Sequence, residues 1–136
     1  MKKFETILAA KPKYLELLGK AQAVNLLQLF DEIENGKYDK DELHAFKLSG
    51  LDHAVFIRAI RADMQSFINT FIDPYLEKKP YLQKAEFIID AGANIGYTAA
   101  LFANWWPDCK IVSIEPDQEN YELTLRNTRP YPNISG

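Results

Sequence analysis

Residues 87–96 read FIIDAGANIG, and no other stretch constrains the chain as much. Phe87, Ile88 and Ile89 form a continuous apolar run of β-formers, which suits a strand buried on both faces, as in a parallel sheet. Asp90 to Gly96 is a turn of mostly small residues. Tyr97 to Trp106 is compatible with a helix, and Ala99, Ala100 and Ala103 let that helix lie close on a sheet. A strand, a tight turn and a helix in that order form the crevice where open α/β sheets take ligands. Gly92 and Gly96 remove Cβ atoms where a ligand must approach the backbone or where helix and strand pack closely. Asn94 stands where a left-handed conformation is expected, which Asn tolerates better than most residues. The helix that follows points its free N–H groups at the crevice.

The pattern then repeats. Pro107-Asp108 stops the helix, and Lys110 to Ile114 reads as a second strand. Pro116 and Asp117 open another helix through about Asn127, with Asp117 as N-cap. Pro130 and Pro132 break it before one more strand starts near the last residues. Strands alternating with helices imply a parallel sheet with right-handed crossovers. Glu115 ends the second strand, 23 residues after Gly92. A carboxylate there can accept hydrogen bonds from both ribose hydroxyls of an adenosine group, the device that dinucleotide folds use at about this spacing.

Residues 1 to about 80 read differently, as a helical N-terminal region with a short β-hairpin. Phe4, Ile7 and Leu8 share a helical face, and after Pro12 the stripe Tyr14, Leu15, Leu18 runs to Gly19. Val24, Leu27, Phe30 and Ile33 continue a stripe that ends at Asn35-Gly36. Phe46 to Ser49 and Ala54 to Ala59 are expected to pair around a turn at Gly50 to His53. Asp63 is the expected N-cap of a helix whose buried face is Met64, Phe67, Ile68, Phe71 and Ile72. Asp73-Pro74 ends it, and Glu77 to Pro80 is expected to be a charged linker before the second unit, 81–136.

Composition narrows the functional classes. A net charge of -3 with no basic stripe argues against nucleic-acid binding. No apolar run of about 18 residues exists, so no membrane span is expected, and the run after Lys2-Lys3 is too short for a signal peptide. Cys109 is alone, and His44 and His53 are isolated, so neither a disulfide nor a metal site is expected; a reducing cytoplasm fits. A Gly-Lys-Ser/Thr is missing after the turn, which removes the P-loop. The dinucleotide fingerprint also fails, because it would need glycines at Asn94 and Tyr97. Asp90 and Glu115 make the crevice acidic, which suits a ligand without phosphates.

The segment FIIDAGANIGYTAALFANWWPDCKIVSIEPDQENYELTLRNT resembles the cofactor-binding region of the FkbM-type S-adenosylmethionine-dependent methyltransferases. The likeness runs from Phe87 to about Asn133, roughly a third of the chain, and more loosely back to Ala54. It implies an α/β fold: an incomplete Rossmann-like class I methyltransferase sheet behind the helical region. It implies S-adenosylmethionine as cofactor, held by Asp90, Gly92, Ala93, Asn94 and Gly96 at the methionine and ribose end, by Glu115 at the ribose hydroxyls, and by Pro116 and Asp117 beside the adenosine. The implied activity is O-methylation of a sugar or natural-product hydroxyl on a small-molecule or glycan acceptor. Methyltransferases of this kind have a seven-stranded sheet, so the chain is expected to be truncated and inactive alone, and to cover exposed strands by a homodimer through the sheet or the N-terminal helices. Two rivals stand beside this reading: a non-enzymatic helical interaction protein with a vestigial α/β half, and an NAD-binding half-domain. Trp105 and Trp106 are read as packing residues. Tyr97 is read as a helix-start residue, with a cation–π contact to a sulfonium as the alternative. Arg58, Arg61 and Asp63, which precede the cofactor half, are further candidates for cofactor or substrate contact.

Overall fold

A computed structural model describes residues 2–37, 39–74, 76 and 85–136. Helix α1, Lys2–Ala10, is separated by Pro12 from α2, Lys13–Glu34. Pro12 suits the position before a helix, since its missing N–H would have no intrahelical partner there. Gly19 interrupts α2 with φ 72° and ψ 167°, so the two apolar stripes are two helical pieces joined at a kink. Leu26, Leu27, Phe30 and Ile33 are buried.

β1, Leu43–Phe46, and β2, Val55–Arg58, pair antiparallel, with Leu43 opposite Arg58 and Phe46 opposite Val55. The first strand therefore lies earlier than the expected 46–49. The backbone beyond Phe46 is committed to α2: Lys47 N–H donates to Gln22 Oε1 at 2.8 Å, and Ser49 N–H donates to the Leu17 carbonyl at 2.7 Å. The outer edge of β2 is closed by side chains. Phe56 N–H donates to Asn127 Oδ1 at 2.7 Å, and Arg58 N–H donates to Asp63 Oδ2 at 2.9 Å.

α3, Arg61–Phe67, follows, and its last turn widens into a π-helical turn at Ile68–Ile72. Met64, Phe67, Phe71 and Ile72 are buried as expected. Asp63 is not the N-cap: that position belongs to Ile60, in extended backbone, and no side chain caps the helix. The Asp63 carboxylate, 1% exposed, instead accepts from Arg58 N–H, Nε (2.9 Å) and Nη2 (2.7 Å). A buried carboxylate needs such a cation more than the helix needs a cap. The expected linker at Glu77–Pro80 lies outside the described residues.

The second half alternates as read: β3 Phe87–Ala91, α4 Tyr97–Trp105, β4 Lys110–Ile114, α5 Gln118–Thr128 and β5 Ile134–Ser135. The strands form a parallel sheet in the order β3-β4-β5. Both crossovers step the same way across the sheet, so right-handed connections place α4 and α5 on one face. Ile88 and Ile111 meet Ala99, Ala100, Ala103 and Trp106 on that face. The expectation that β3 is buried on both faces is corrected for the same reason. Phe87, Ile89 and Ile114 point to the side opposite α4 and α5 and are 55%, 60% and 51% exposed.

The N-terminal helices and hairpin pack on the far side of α4 and α5, in a larger core that takes in Ile95, Tyr97 and Leu123. Tyr97 is central to it. Its ring stands edge-on to Phe67 and tilts against Phe71, and its hydroxyl donates to the Phe56 carbonyl at 2.8 Å. Among the described residues, no helix is long and apolar enough to cross a membrane.

Candidate functional site

The turn between β3 and α4 carries three left-handed residues: Gly92 at φ 74°, Asn94 at 57° and Gly96 at 89°. The two glycines divide the roles that the sequence left open. A Cβ on Gly92 would meet nothing within 4 Å, so this residue faces open space where a ligand can approach. A Cβ on Gly96 would stand 3.1 Å from the Thr124 backbone, so this residue lets α4 and α5 cross closely.

Donors and acceptors from β4 and α5 hold the turn. Gly92 and Ala93 N–H both donate to the Ile114 carbonyl, at 2.8 and 2.9 Å. Thr124 Oγ1 donates to the Asn94 carbonyl at 2.7 Å, and Asn127 Nδ2 donates to the Ile95 carbonyl at 2.7 Å. Thr124 and Asn127 are buried polar residues of α5. Sequence reading passed over them, since nothing local marks a buried Asn inside a helix.

Glu115 joins the two motifs. Its Oε1 accepts from Asn94 N–H at 2.7 Å, and its Oε2 accepts from Asp117 N–H at 3.0 Å. Each carboxylate oxygen has capacity for a second donor, so a ribose diol can still be bound. Asp117 caps α5 as read, its Oδ1 accepting from Asn120 N–H at 2.9 Å. Pro116 is exposed between them, and Ala93 is buried.

Asp90 lies opposite Ser113 across β3 and β4, on the helix-bearing face. Asp90 Oδ2 and the Ser113 hydroxyl are both buried without a hydrogen-bond partner among the described residues. Burial, then the negative charge of Glu115, pushes the Asp90 carboxyl above its usual range. Glu115 is thus near enough to act on Asp90 electrostatically.

A cleft of about 470 Å³ opens beside the turn, within the range of small-ligand sites. One wall is Gly92 to Ile95 with Tyr97 and Thr98; the other is Gln65, Ser66, Asn69 and Thr70 of α3 and the π-helical turn. Asn94 Nδ2 donates to Ser66 Oγ at 2.7 Å across it, and Gln65 Nε2 donates to Asn69 Oδ1 at 3.0 Å. Gln65, Ser66, Asn69 and Thr70 are not marked by any motif, although their spacing places them on the helix face opposite Met64 and Phe67. A second cleft of about 390 Å³, between the hairpin and α5, holds charges of both signs, among them Arg58, Glu119, Glu122 and Arg126.

Other candidates have structural partners. The Tyr97 ring is 2% exposed and packs against Phe67 and Phe71 at the edge of the cleft. Arg58 is paired with Asp63 and Asn120, and Arg61 with Glu34 at 3.1 Å. Trp106 packs against α4 and Tyr131, while Trp105 is half-buried. Among the described residues, no group of three or more His, Cys, Asp or Glu could hold a metal. Neither family models, nor curated proteins, nor solved structures give a match to this chain.

Proposed function

We propose that the chain binds S-adenosylmethionine and serves an S-adenosylmethionine-dependent methyltransferase, with methyl transfer to a hydroxyl of a small-molecule or glycan acceptor. The observation that carries this reading is the Glu115 clamp. One carboxylate at a parallel strand's end holds the Asn94 amide of the glycine turn and the Asp117 amide of the next helix. That geometry offers a diol acceptor and an open Gly92 side by side. Asp90, at the end of β3 beside the turn, adds negative charge that favours a cation nearby. A nucleoside with a cationic sulfonium fits these groups better than a dinucleotide, whose pyrophosphate would lie at a turn that has Asn94 and Tyr97 where the fingerprint needs glycines, beside the Asp90 carboxylate.

When bound, the cofactor supplies a methyl carbon activated by the adjacent sulfonium. The chain's own part is to orient it: Glu115 at the ribose, the open Gly92 at the backbone approach, Asp90 balancing charge. Positioning of this kind supplies a large share of the rate in an in-line displacement.

The test is calorimetric titration of the chain with S-adenosylhomocysteine, with NAD as control. Binding of the first alone supports the reading; a folded chain that binds neither, or prefers NAD, overturns it. Glu115→Gln is the informative variant, since it keeps the side-chain shape and replaces one acceptor oxygen by a donor. The second reading, a non-enzymatic interaction module, is favoured by the bare face of Phe87, Ile89 and Ile114, and a folded chain without nucleotide affinity would support it.

A further inference from the structure

We infer that the polar wall of α3 and the π-helical turn, centred on Gln65 and Asn69, is the recognition site for the zwitterionic amino-acid end of the bound nucleoside. This rests on the cofactor reading above and goes beyond it by assigning residues that the glycine-turn motif does not contain.

The direction follows from the sheet. If Glu115 at the end of β4 holds the ribose, the base lies toward Pro116 and Asp117, where the chain turns into α5. The 5′ substituent must then run the other way, toward β3 and its turn. The 470 Å³ cleft lies there, walled by the glycine turn, and Glu115 is not among its lining residues. It is therefore room for the part of the ligand that is not the nucleoside.

The chemistry of the wall matches. An α-amino acid presents an ammonium and a carboxylate within one short unit. Gln65 and Asn69 carry primary amides, each with two N–H donors and an acceptor oxygen. Their mutual hydrogen bond at 3.0 Å uses one donor and one lone pair and holds the two groups side by side. Ser66, fixed to the Asn94 side chain at 2.7 Å, ties this wall to the turn. The π-helical turn starts at Ile68, so Asn69 and Thr70 belong to a locally widened stretch of helix, a feature that recurs at functional sites. The apolar side of the same segment, Phe67 and Phe71, is locked against Tyr97, so the wall is backed by the core.

The experiment compares two probes on the full chain by calorimetry: S-adenosylhomocysteine, and 5′-methylthioadenosine, a nucleoside thioether that lacks the amino-acid end. The variants are Gln65→Ala, Asn69→Ala and the double variant, with circular dichroism confirming the fold; neither side chain belongs to the buried core. The double variant is expected to weaken S-adenosylhomocysteine by at least about tenfold and to change methylthioadenosine by less than about twofold. Glu115→Gln is expected to weaken both probes. Equal weakening of both probes by the double variant, or an unchanged affinity for S-adenosylhomocysteine, overturns the assignment while the cofactor reading stands. A wild-type chain that binds neither probe overturns both.

Discussion

Asn127 gives the sharpest test of how the glycine turn is held. Its side chain is 1% exposed and makes three hydrogen bonds: Oδ1 accepts from Phe56 N–H at 2.7 Å, and Nδ2 donates to the Ile95 carbonyl at 2.7 Å and to the Phe56 carbonyl at 3.3 Å. Asn127→Leu keeps the volume and removes all three. The Phe56 carbonyl retains the Tyr97 hydroxyl, so two groups lose these partners, Phe56 N–H and Ile95 C=O. Each buried group left unpaired costs about 1–3 kcal/mol. The added apolar burial of leucine returns about 1 kcal/mol. The net expectation is a loss of about 3 kcal/mol. With a urea slope of about 2 kcal/mol per molar, the unfolding midpoint should fall by about 1.5 M. Urea denaturation followed by tryptophan fluorescence and circular dichroism measures this directly. A midpoint within about 0.3 M of wild type would refute the claim that Asn127 is the rung that joins β2, the turn and α5.

Further outcomes follow from the same geometry. Gly96→Ala should cost about 2–4 kcal/mol in thermal or urea unfolding, because a left-handed φ and a 3.1 Å approach to the Thr124 backbone combine. Gly92→Ala, with the same sign of φ but open space around it, should cost only about 1 kcal/mol while weakening ligand binding more than Gly96→Ala does. Asp90 has a raised folded-state pKa, so its ionisation favours unfolding: the stability it contributes is present below its unfolded pKa and lost as pH rises through the higher folded value. Asp90→Asn should therefore raise the Tm at pH 7, with the gain vanishing as pH falls below the ordinary carboxyl range, and should weaken a cationic ligand. Removing the buried Asp63 carboxylate with Asp63→Ala should cost about 3–5 kcal/mol, since it strands Arg58 at a site where only 16% of its side chain is exposed.

What the sequence made legible was local. The order of strands and helices, the left-handed Asn94, the Asp117 cap and the stripe from Met64 to Ile72 all depend on neighbours a few residues away. The misplaced elements depend on distant partners. The first hairpin strand ends at Phe46 because Gln22 and Leu17 claim the backbone beyond it. Asp63 left its expected cap for Arg58. The bare side of β3 follows from the direction of two crossovers, which an apolar triplet cannot encode. At the site, the two motif ends were readable, but the wall of Gln65 and Asn69 and the supports Thr124 and Asn127 come from elements whose approach only tertiary packing determines.

The attachment of the glycine turn to β4 and α5 has a consequence for time as well as position. Its amides and carbonyls are anchored to Ile114, Glu115, Thr124 and Asn127 at once. A segment so tethered exchanges its amide hydrogens only when a larger unit opens, because no single bond can fray alone. The Gly92 and Ala93 amides, both held by the Ile114 carbonyl, should therefore exchange with deuterium more slowly than the Asn94 amide, which an exposed side chain holds. The opposite wall is tied across the cleft by Ser66 to the Asn94 side chain.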